Sequence, residues 1–393
     1  MSSFPDDHAH MDTLKQRKLL AIDGGGVRGL LAVRILARIE ALLRERSGRP
    51  GLVLAEYFDY IAGTSAGAIL AAGLALGMSV QQLDSLFVHD ASAMFSPTAN
   101  FVKRLLFARY DASALRDYLQ KIFGADTTLG SARLRTLLML VMLNARTNSP
   151  WPISSNPHAK YSDMRYGADS NLNLPLWQLV RASTAAPYFF APERIRIGSQ
   201  VHLFYDGAIS SLNNPAFKLF QMATLPCYRL EWPTGADRML LVSVGTGLLP
   251  KEITRQTVAD SQVAATVLAA MQSLMFAGTT EVDVQCRGFA RVLAGDEIDS
   301  EIGDLRDHTP IGGTPLFSYM RYNALLTPEG LEAIGCGHLA HNAFRLDDVH
   351  AMAACSEIGD AIGRLKVNPE HFADFPPGAG FGDVAGSDAT GTP

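Results

Sequence analysis

The chain has 393 residues, 48% of them hydrophobic, and a formal net charge of −5. This length and apolar content suffice for a full α/β core and an additional region. The acidic balance gives no electrostatic basis for binding a nucleic-acid polymer. The four cysteines have no paired spacing, so we expect no zinc site and no disulfide framework. We also expect neither a metal nor a cofactor.

We expect residues 1–17 to be a loose arm. The N-terminus also lacks the apolar stretch of a signal peptide. The chain has no paired cysteine spacing and no convincing membrane-spanning stretch. Together with the missing signal peptide, these features favour a cytoplasmic location.

A glycine-rich segment, residues 23–29 with the sequence DGGGVRG, lies between a predicted strand and a predicted helix. Its Gly-x-Gly-x-x-Gly spacing matches the dinucleotide-binding fingerprint, which expects an acidic residue ending a second strand about twenty residues further on. Glu40 and Glu45 fall inside the predicted helix instead. A nucleotide-binding module therefore stays open only as an alternative.

The same glycines are suited to an oxyanion hole. Since Gly24, Gly25 and Gly26 have no Cβ, their N–H groups can approach one bound oxygen together. In acyl transfer, each well-aimed donor contributes about 10²–10³ in rate. Arg28 is predicted either to anchor this loop or to attract an anionic head group, and Gly29 closes the segment.

A second glycine-bearing segment, residues 63–67 with the sequence GTSAG, follows a β-prone run and precedes a helix of small residues. This strand–turn–helix context predicts a nucleophile elbow. Glycine is required at positions 63 and 67, because side chains on Gly63 and Gly67 would collide across the turn. Ser65 is the candidate nucleophile, near a helix N-terminus whose dipole favours negative charge.

The candidate base ends another strand. Residues 201–205 predict a strand that stops at Asp206 and Gly207. A carboxylate at the carboxyl end of a strand is where α/β sheets place catalytic groups, although Asp-Gly is also a common turn. His202 shares a strand face with Asp206 and stays an alternative base. Later histidines are available by chain order but lack a strand-end context: His308, His338, His341, His350 and His371.

These three motifs, in this order, resemble the patatin-like phospholipases. The resemblance continues in residues 181–192, 213–215 and 242–247, with the sequences RASTAAPYFFAP, NNP and VSVGTG. It implies a catalytic dyad of Ser65 and Asp206. The residues implied to form or support the oxyanion hole and the two turns are Gly24, Gly25, Gly26, Arg28, Gly29, Gly63, Gly67 and Gly207.

The resemblance implies a three-layer α/β/α fold with a mainly parallel central sheet and a C-terminal helical extension. We expect a catalytic domain over residues 18–250, a mostly helical region over 251–367 and a disordered tail over 368–393. The implied activity is a phospholipase A type lipid acyl hydrolase that cleaves membrane phospholipid esters, with peripheral association to the inner membrane surface. An acyltransferase or a non-phospholipid esterase with the same dyad is the alternative.

The region from residues 316–323 onward is similar to bacterial patatin-like effectors of antiviral defence that a cyclic dinucleotide switches on. The resemblance therefore implies a cyclic dinucleotide activator, and the oligomeric state is left open. Physically, an enzyme that degrades membranes inside its own cell needs restraint, which a ligand-gated lid would provide.

Three segments are candidates for lipid contact or gating. Residues 261–280 predict an amphipathic helix that either packs on the core or contacts lipid. Residues 101–110 mix basic and aromatic side chains, which suits either an anionic membrane surface or a half-buried helix. Residues 147–173 form a long polar loop of the kind used as a lid or binding segment.

Overall fold

The computed structural model describes residues 15–94, 112–250 and 263–378. Within these ranges one sheet contains nine strands: β1 Arg17–Ile22, β2 Tyr60–Thr64, β3 Leu137–Asn144, β4 Ser149–Ser154, β5 Glu193–Ile197, β6 Gln200–Asp206, β7 Met239–Val244, β8 Ala290–Ala294 and β9 Phe317–Tyr322. The α-helices are α1 Gly29–Ser47, α2 Ala66–Ala75, α3 Val80–Met94, α4 Ala112–Phe123, α5 Leu176–Ser183, α6 Ala216–Thr224, α7 Val263–Phe289, α8 Pro328–Ala333 and α9 Met352–Lys366.

The sheet is mainly parallel. β3, β2, β1, β7, β9 and β8 are neighbours in that order, and each neighbouring pair is parallel. β4 and β6 pair antiparallel with β3, and β5 pairs antiparallel with β6.

Helices cover both faces of this sheet. Along β1, Leu20 and Ile22 belong to the core beneath α1, α2 and α9, whereas Leu19 and Ala21 belong to the core beneath α6 and α7. Successive side chains of a strand point to opposite faces, so the sheet lies between two apolar layers. The predicted three-layer α/β/α fold is confirmed.

The C-terminal region contributes to the sheet as well as covering it. α7, α8 and α9 form the predicted helical extension, but β8 and β9 lie in the same region and extend the sheet beyond β7. The sequence reading missed β9 because all six of its residues (FSYMRY) are buried, and such a strand need not alternate polar with apolar side chains. The sheet is therefore continuous across residue 250, where a domain boundary was predicted.

α9 packs closely on α1. A Cβ at Gly359 of α9 would lie 2.6 Å from the carbonyl oxygen of Leu31 in α1, so only glycine fits at this crossing. The last long helix is thereby fixed to the helix that follows the glycine-rich loop.

The chain remains packed after residue 368, where the disordered tail was predicted to start. Phe372 and Phe375 are both 0% exposed. The Tyr57 hydroxyl donates a hydrogen bond to the Phe375 carbonyl oxygen at 2.7 Å. Two aromatic anchors thus offset the Gly and Pro content that suggested disorder.

Other predictions fall outside the described residues: residues 1–14 of the arm, the basic and aromatic segment 101–110, and residues 379–393 of the tail. Arg17, the last residue assigned to the arm, already belongs to β1. Among the helices that the structure describes, none combines the length and apolarity needed to cross a bilayer.

The buried tail aromatics should be required for stability. We expect Phe372→Ala to lower the free energy of unfolding by about 3–5 kcal/mol, because it removes a fully buried ring and leaves a cavity. Leu365→Ala is the matched control, since Leu365 is 63% exposed and a surface change should cost less than about 0.5 kcal/mol. Urea unfolding of both variants makes the comparison, and equal stabilities would contradict the packing described for the tail.

Candidate active site

Ser65 lies on the sharp turn between β2 and α2. Its backbone has φ 56° and ψ −125°, a conformation that residues other than glycine rarely adopt. A Cβ at Gly63 would lie 2.1 Å from the Gly67 carbonyl oxygen, and one at Gly67 would lie 2.4 Å from the Ile22 carbonyl oxygen. Both positions therefore require glycine, and the strand–turn–helix geometry predicted for residues 63–67 is present.

The pairing of β3 brings Asp206 to this turn. β2 pairs with the first part of β3 and β6 with its last part, while β4 pairs along the opposite edge, so β2 and β6 share one edge of β3. β2 ends with Thr64 opposite Val141, and β6 ends with Asp206 opposite Met142. A parallel and an antiparallel strand thus meet end to end, and Ser65 follows directly at the meeting point.

The Ser65 hydroxyl donates a hydrogen bond to Asp206 Oδ2 at 2.6 Å. The other carboxylate oxygen, Oδ1, accepts the Ala208 amide at 2.8 Å. Asp206 is 1% exposed, and burial raises its pKa to about 7, against the lowering effects of the Ser65 and Ala208 hydrogen bonds and the Arg181 charge. The carboxylate is therefore suited to accept a proton near neutral pH.

Two residues that sequence reasoning did not assign to the site hold Ser65 and Asp206 in place. The Ser183 hydroxyl accepts the Ser65 amide at 3.0 Å and donates to the Val141 carbonyl oxygen at 2.6 Å. The Ala185 carbonyl oxygen accepts the Asp206 amide at 3.0 Å. Ser183 and Ala185 both lie in residues 181–192, one of the segments that carry the family resemblance. That resemblance was the only feature of the sequence that pointed to them.

The glycine-rich loop lies beside Ser65, but its three glycines are not equivalent. The Gly24 amide donates to the Asn213 carbonyl oxygen at 3.2 Å, so in this conformation it is not available to a bound oxyanion, contrary to the prediction. The Gly25 and Gly26 amides have no acceptor among the described residues, and both glycines line the cavity next to Ser65. Gly26 has φ 59°, and a Cβ there would lie 2.0 Å from the Leu346 carbonyl oxygen.

The other predicted supporting residues have structural positions around the site. Arg28 is 8% exposed, and burial lowers its pKa to about 10, which fits the anchoring role better than an open head-group site. A Cβ at Gly29 would lie 3.1 Å from the Phe87 ring, and one at Gly207 would lie 2.5 Å from the Val141 carbonyl oxygen. Glycine at these two positions allows the start of α1 to pack against Phe87 and the turn after β6 to pack against β3.

A family model described as patatin-like phospholipase matches residues 20–220, about half of the chain. The chain belongs to the patatin-like phospholipase family.

Individual relatives agree with this assignment. A protein named cGAMP-activated phospholipase from Escherichia coli (strain TW11681) is 34% identical over 204 residues, which cover 51% of this chain and 54% of the relative. A protein of the same name from Vibrio cholerae serotype O1 is 32% identical over 223 residues, covering 54% and 59%. An intracellular phospholipase A2 from Caenorhabditis elegans is 30% identical over 250 residues, covering 62% of this chain and 20% of the relative. The chain spans between a fifth and three fifths of the length of these relatives.

In this patatin-like chain, no histidine lines the Ser65 cavity among the residues that the structure describes. The ring of His202, the alternative base, packs against the rings of Trp151 and Phe204, so it belongs to an aromatic cluster. The later histidines make contacts elsewhere: His308 with the Leu305 carbonyl oxygen, His338 with Glu357, His341 with the His338 carbonyl oxygen, and His371 with the Tyr322 hydroxyl.

The cavity over Ser65 is narrow and apolar. Its volume is about 70 Å³, whereas ligand pockets are typically ~300–1,000 Å³. No residue of the predicted lid, residues 147–173, is among the described residues that line the cavity. This segment contains β4 and continues as three short 3₁₀ helices. Met271 and Met275 of α7 line the cavity instead, which places the predicted amphipathic helix over the site.

The raised pKa of Asp206 predicts the pH dependence of ester hydrolysis. Only the ionised carboxylate can accept the Ser65 proton, so kcat/KM should be at its plateau above about pH 7 and fall roughly tenfold for each pH unit below it. The measurement is hydrolysis of a soluble short-chain nitrophenyl ester between pH 5 and 9. A flat profile across that range would show that Asp206 is not the base.

Proposed function

We propose that this protein is a phospholipase A type lipid acyl hydrolase that cleaves membrane phospholipid esters with Ser65 as nucleophile and Asp206 as base. The observation that carries the proposal is the 2.6 Å hydrogen bond from a strained, partly exposed serine to a buried carboxylate of raised pKa. A serine hydroxyl is a poor nucleophile until a neighbouring group takes its proton, and here that group is already in hydrogen-bonding contact.

The reaction follows from these positions. Asp206 takes the Ser65 proton while Oγ attacks the ester carbonyl, and the carbonyl oxygen becomes an oxyanion. The intermediate then expels the alcohol portion of the lipid, which takes the proton from Asp206. Water attacks the acyl-enzyme with Asp206 again as base, the fatty acid leaves, and Ser65 regains its proton.

The Gly25 and Gly26 amides are the proposed oxyanion donors, because both border the cavity and neither has an acceptor among the described residues. Gly24 acts differently: its amide bond to Asn213 holds the start of the loop. The negative charge that develops on the carbonyl oxygen would be stabilised by two preorganised backbone donors.

The dinucleotide-binding alternative lacks its acidic partner. Glu40 is 2% exposed on α1, accepts the Val80 amide and pairs with Arg44 at 2.6 Å. It therefore has a structural role and does not end a second strand. An acyltransferase or another esterase would use the same dyad, and the identity of the acceptor or substrate separates them.

The proposed substrate lies in a membrane, and we place the enzyme in the cytoplasm with peripheral association to the inner membrane surface. Leu274 is 60% exposed on α7, between the cavity-lining Met271 and Met275. Tyr188 is 40% exposed next to Phe189 and Phe190, which also line the cavity. An exposed leucine and tyrosine near the cavity provide apolar contacts for a lipid surface.

The proposal includes activation by a cyclic dinucleotide in antiviral defence. Two observations support activation: the two bacterial relatives are named cGAMP-activated phospholipases, and the cavity over Ser65 has a small volume. A cavity of about 70 Å³ has to widen before a lipid acyl chain reaches Ser65, so an activator that favours a wider state would raise the rate.

Fatty-acid release from phosphatidylethanolamine–phosphatidylglycerol vesicles tests the dyad. We expect Ser65→Ala and Asp206→Asn each to lower the rate by at least about 10³, because nucleophile and base act as a unit. Ser211→Ala is the matched control, since Ser211 is exposed and near the site in sequence but outside the dyad. A Ser65→Ala enzyme with wild-type turnover would falsify the assignment.

The same assay with and without a panel of cyclic dinucleotides tests activation. We expect release by the wild type to rise at least tenfold with one nucleotide and to remain at background in Ser65→Ala. Equal release without nucleotide would establish a constitutive phospholipase and contradict activation. If no fatty acid is released but a fluorophosphonate labels Ser65, the enzyme acts on another substrate or acceptor. If no fatty acid is released and Ser65 is not labelled, the dyad is contradicted.

A further inference from the structure

A second and larger cavity opens at the opposite end of the strands from Ser65. Its volume is about 790 Å³, within the range of small-molecule sites, ~300–1,000 Å³. The starts of three central strands border it: Arg17 and Lys18 of β1, Asp59 immediately before β2, and Thr136 and Leu137 at the start of β3.

The lining carries excess positive charge in two groups. Lys15, Arg17 and Lys18 surround Asp59: Lys15 Nζ lies 3.4 Å and an Arg17 nitrogen 3.8 Å from its carboxylate, and the Lys18 amide donates to it at 2.9 Å. Burial lowers the pKa of Lys18.

The second group surrounds Glu56. Arg49 forms an ion pair with it, and Arg135 Nη1 lies 3.8 Å from its other carboxylate oxygen. Among the described lining residues, five cationic side chains thus face two carboxylates, so this part of the lining has a formal excess of three positive charges, which favours an anionic ligand.

The same cavity contains aromatic surface. Trp232 lines it, with the Arg17 guanidinium 4.5 Å from its ring centroid, and Tyr57 lies beneath Lys18 at 5.1 Å. Aromatic and arginine planes stack on nucleobases, and arginine binds phosphate through paired N–H donors. The ligand chemistry that fits is therefore two phosphate groups, one for each cation group, joined to flat aromatic rings.

The geometry points to this cavity, defined by Lys15, Arg17, Lys18, Arg49, Arg135 and Trp232, as the binding site for a cyclic dinucleotide. The inference rests on the proposed function, in which such a ligand activates the enzyme, and adds the place where it binds.

The three strands that start at this cavity carry the catalytic groups at their other ends. β1 leads into the glycine-rich loop, β2 leads to Ser65, and β3 carries Val141 and Met142, which contact Ser183 and pair with Asp206. At ~3.3 Å per residue, strands of five or six residues span ~17–20 Å. A ligand that contacts the starts of these strands therefore acts on the frame of the active site without touching the substrate.

Calorimetric titration with cyclic GMP–AMP tests the site. We expect the double substitution Arg49→Glu with Arg135→Glu to weaken binding at least tenfold, because it reverses both charges of one cation group. Arg194→Glu is the matched control, since Arg194 is exposed on the edge strand β5 and does not line the cavity. A mixture of GMP and AMP at the same total concentration distinguishes the cyclic dinucleotide from mononucleotides.

Each outcome decides the inference. The site is supported if the double variant binds more weakly, Arg194→Glu binds like the wild type, and the double variant keeps the melting temperature and soluble-ester hydrolysis of the wild type. Equal binding in the double variant places the ligand elsewhere and overturns it, even if the nucleotide activates. Absence of binding to wild type also overturns it, and Ser65 labelling in that preparation shows separately whether the hydrolase assignment stands.

A second measurement covers a double variant that fails to fold. Photocrosslinking an azido derivative of cyclic GMP–AMP to the wild type, followed by peptide mapping, should label peptides containing residues 129–137 or Trp232. Labelling confined to other peptides would contradict the site.

Discussion

The buried ion pair between Asp23 and Arg321 is the constraint on which the catalytic end of the sheet depends. Two nitrogens of Arg321 contact the two carboxylate oxygens of Asp23 at 2.5 and 2.9 Å, and both side chains are almost fully buried. The same guanidinium donates to the Ser243 hydroxyl at 2.7 Å. One side chain from β9 thus fixes Asp23, the first residue of the glycine-rich segment, across the intervening strand β7. Removing one partner of such a pair typically costs about 3–5 kcal/mol, because the other charge is left buried without compensation.

Further contacts next to this ion pair join the C-terminal region to the glycine-rich loop. Asn323, two residues after Arg321, accepts the Gly247 amide at 2.9 Å. The hydroxyl of Thr246, the residue before Gly247, donates a hydrogen bond to the Gly24 carbonyl oxygen at 2.7 Å. A chain of contacts therefore runs from β9 through the end of β7 to the first glycine of the loop. The family model ends at residue 220, so Thr246, Arg321 and Asn323 lie outside the part of the chain that it matches, whereas Asp23 and Gly24 lie inside it.

Local sequence was sufficient to single out Ser65 and Asp206 as candidates, because Ser65 follows β2 and Asp206 ends β6, each at a glycine-bearing turn that a few neighbouring residues determine. It could not identify Ser183, whose role is to accept the Ser65 amide and donate to β3, since that role exists only once α5 packs there. It also treated Gly24 like its neighbours, because the Asn213 carbonyl that takes its amide is 189 residues away along the chain. The mainly parallel sheet was implied by the resemblance to the patatin-like phospholipases, but a fully buried strand such as β9 has no solvent-facing side to reveal it.

The contact of the Val27 amide with the Leu346 carbonyl oxygen at 2.9 Å has a consequence for synthesis. The glycine-rich loop leaves the ribosome more than 300 residues before Leu346, which supports it. An unfinished chain has Ser65 and Asp206 but has neither Arg321 to bind Asp23 nor Leu346 to hold Val27. The geometry of the loop is therefore completed only late in translation, after most of the chain has left the ribosome.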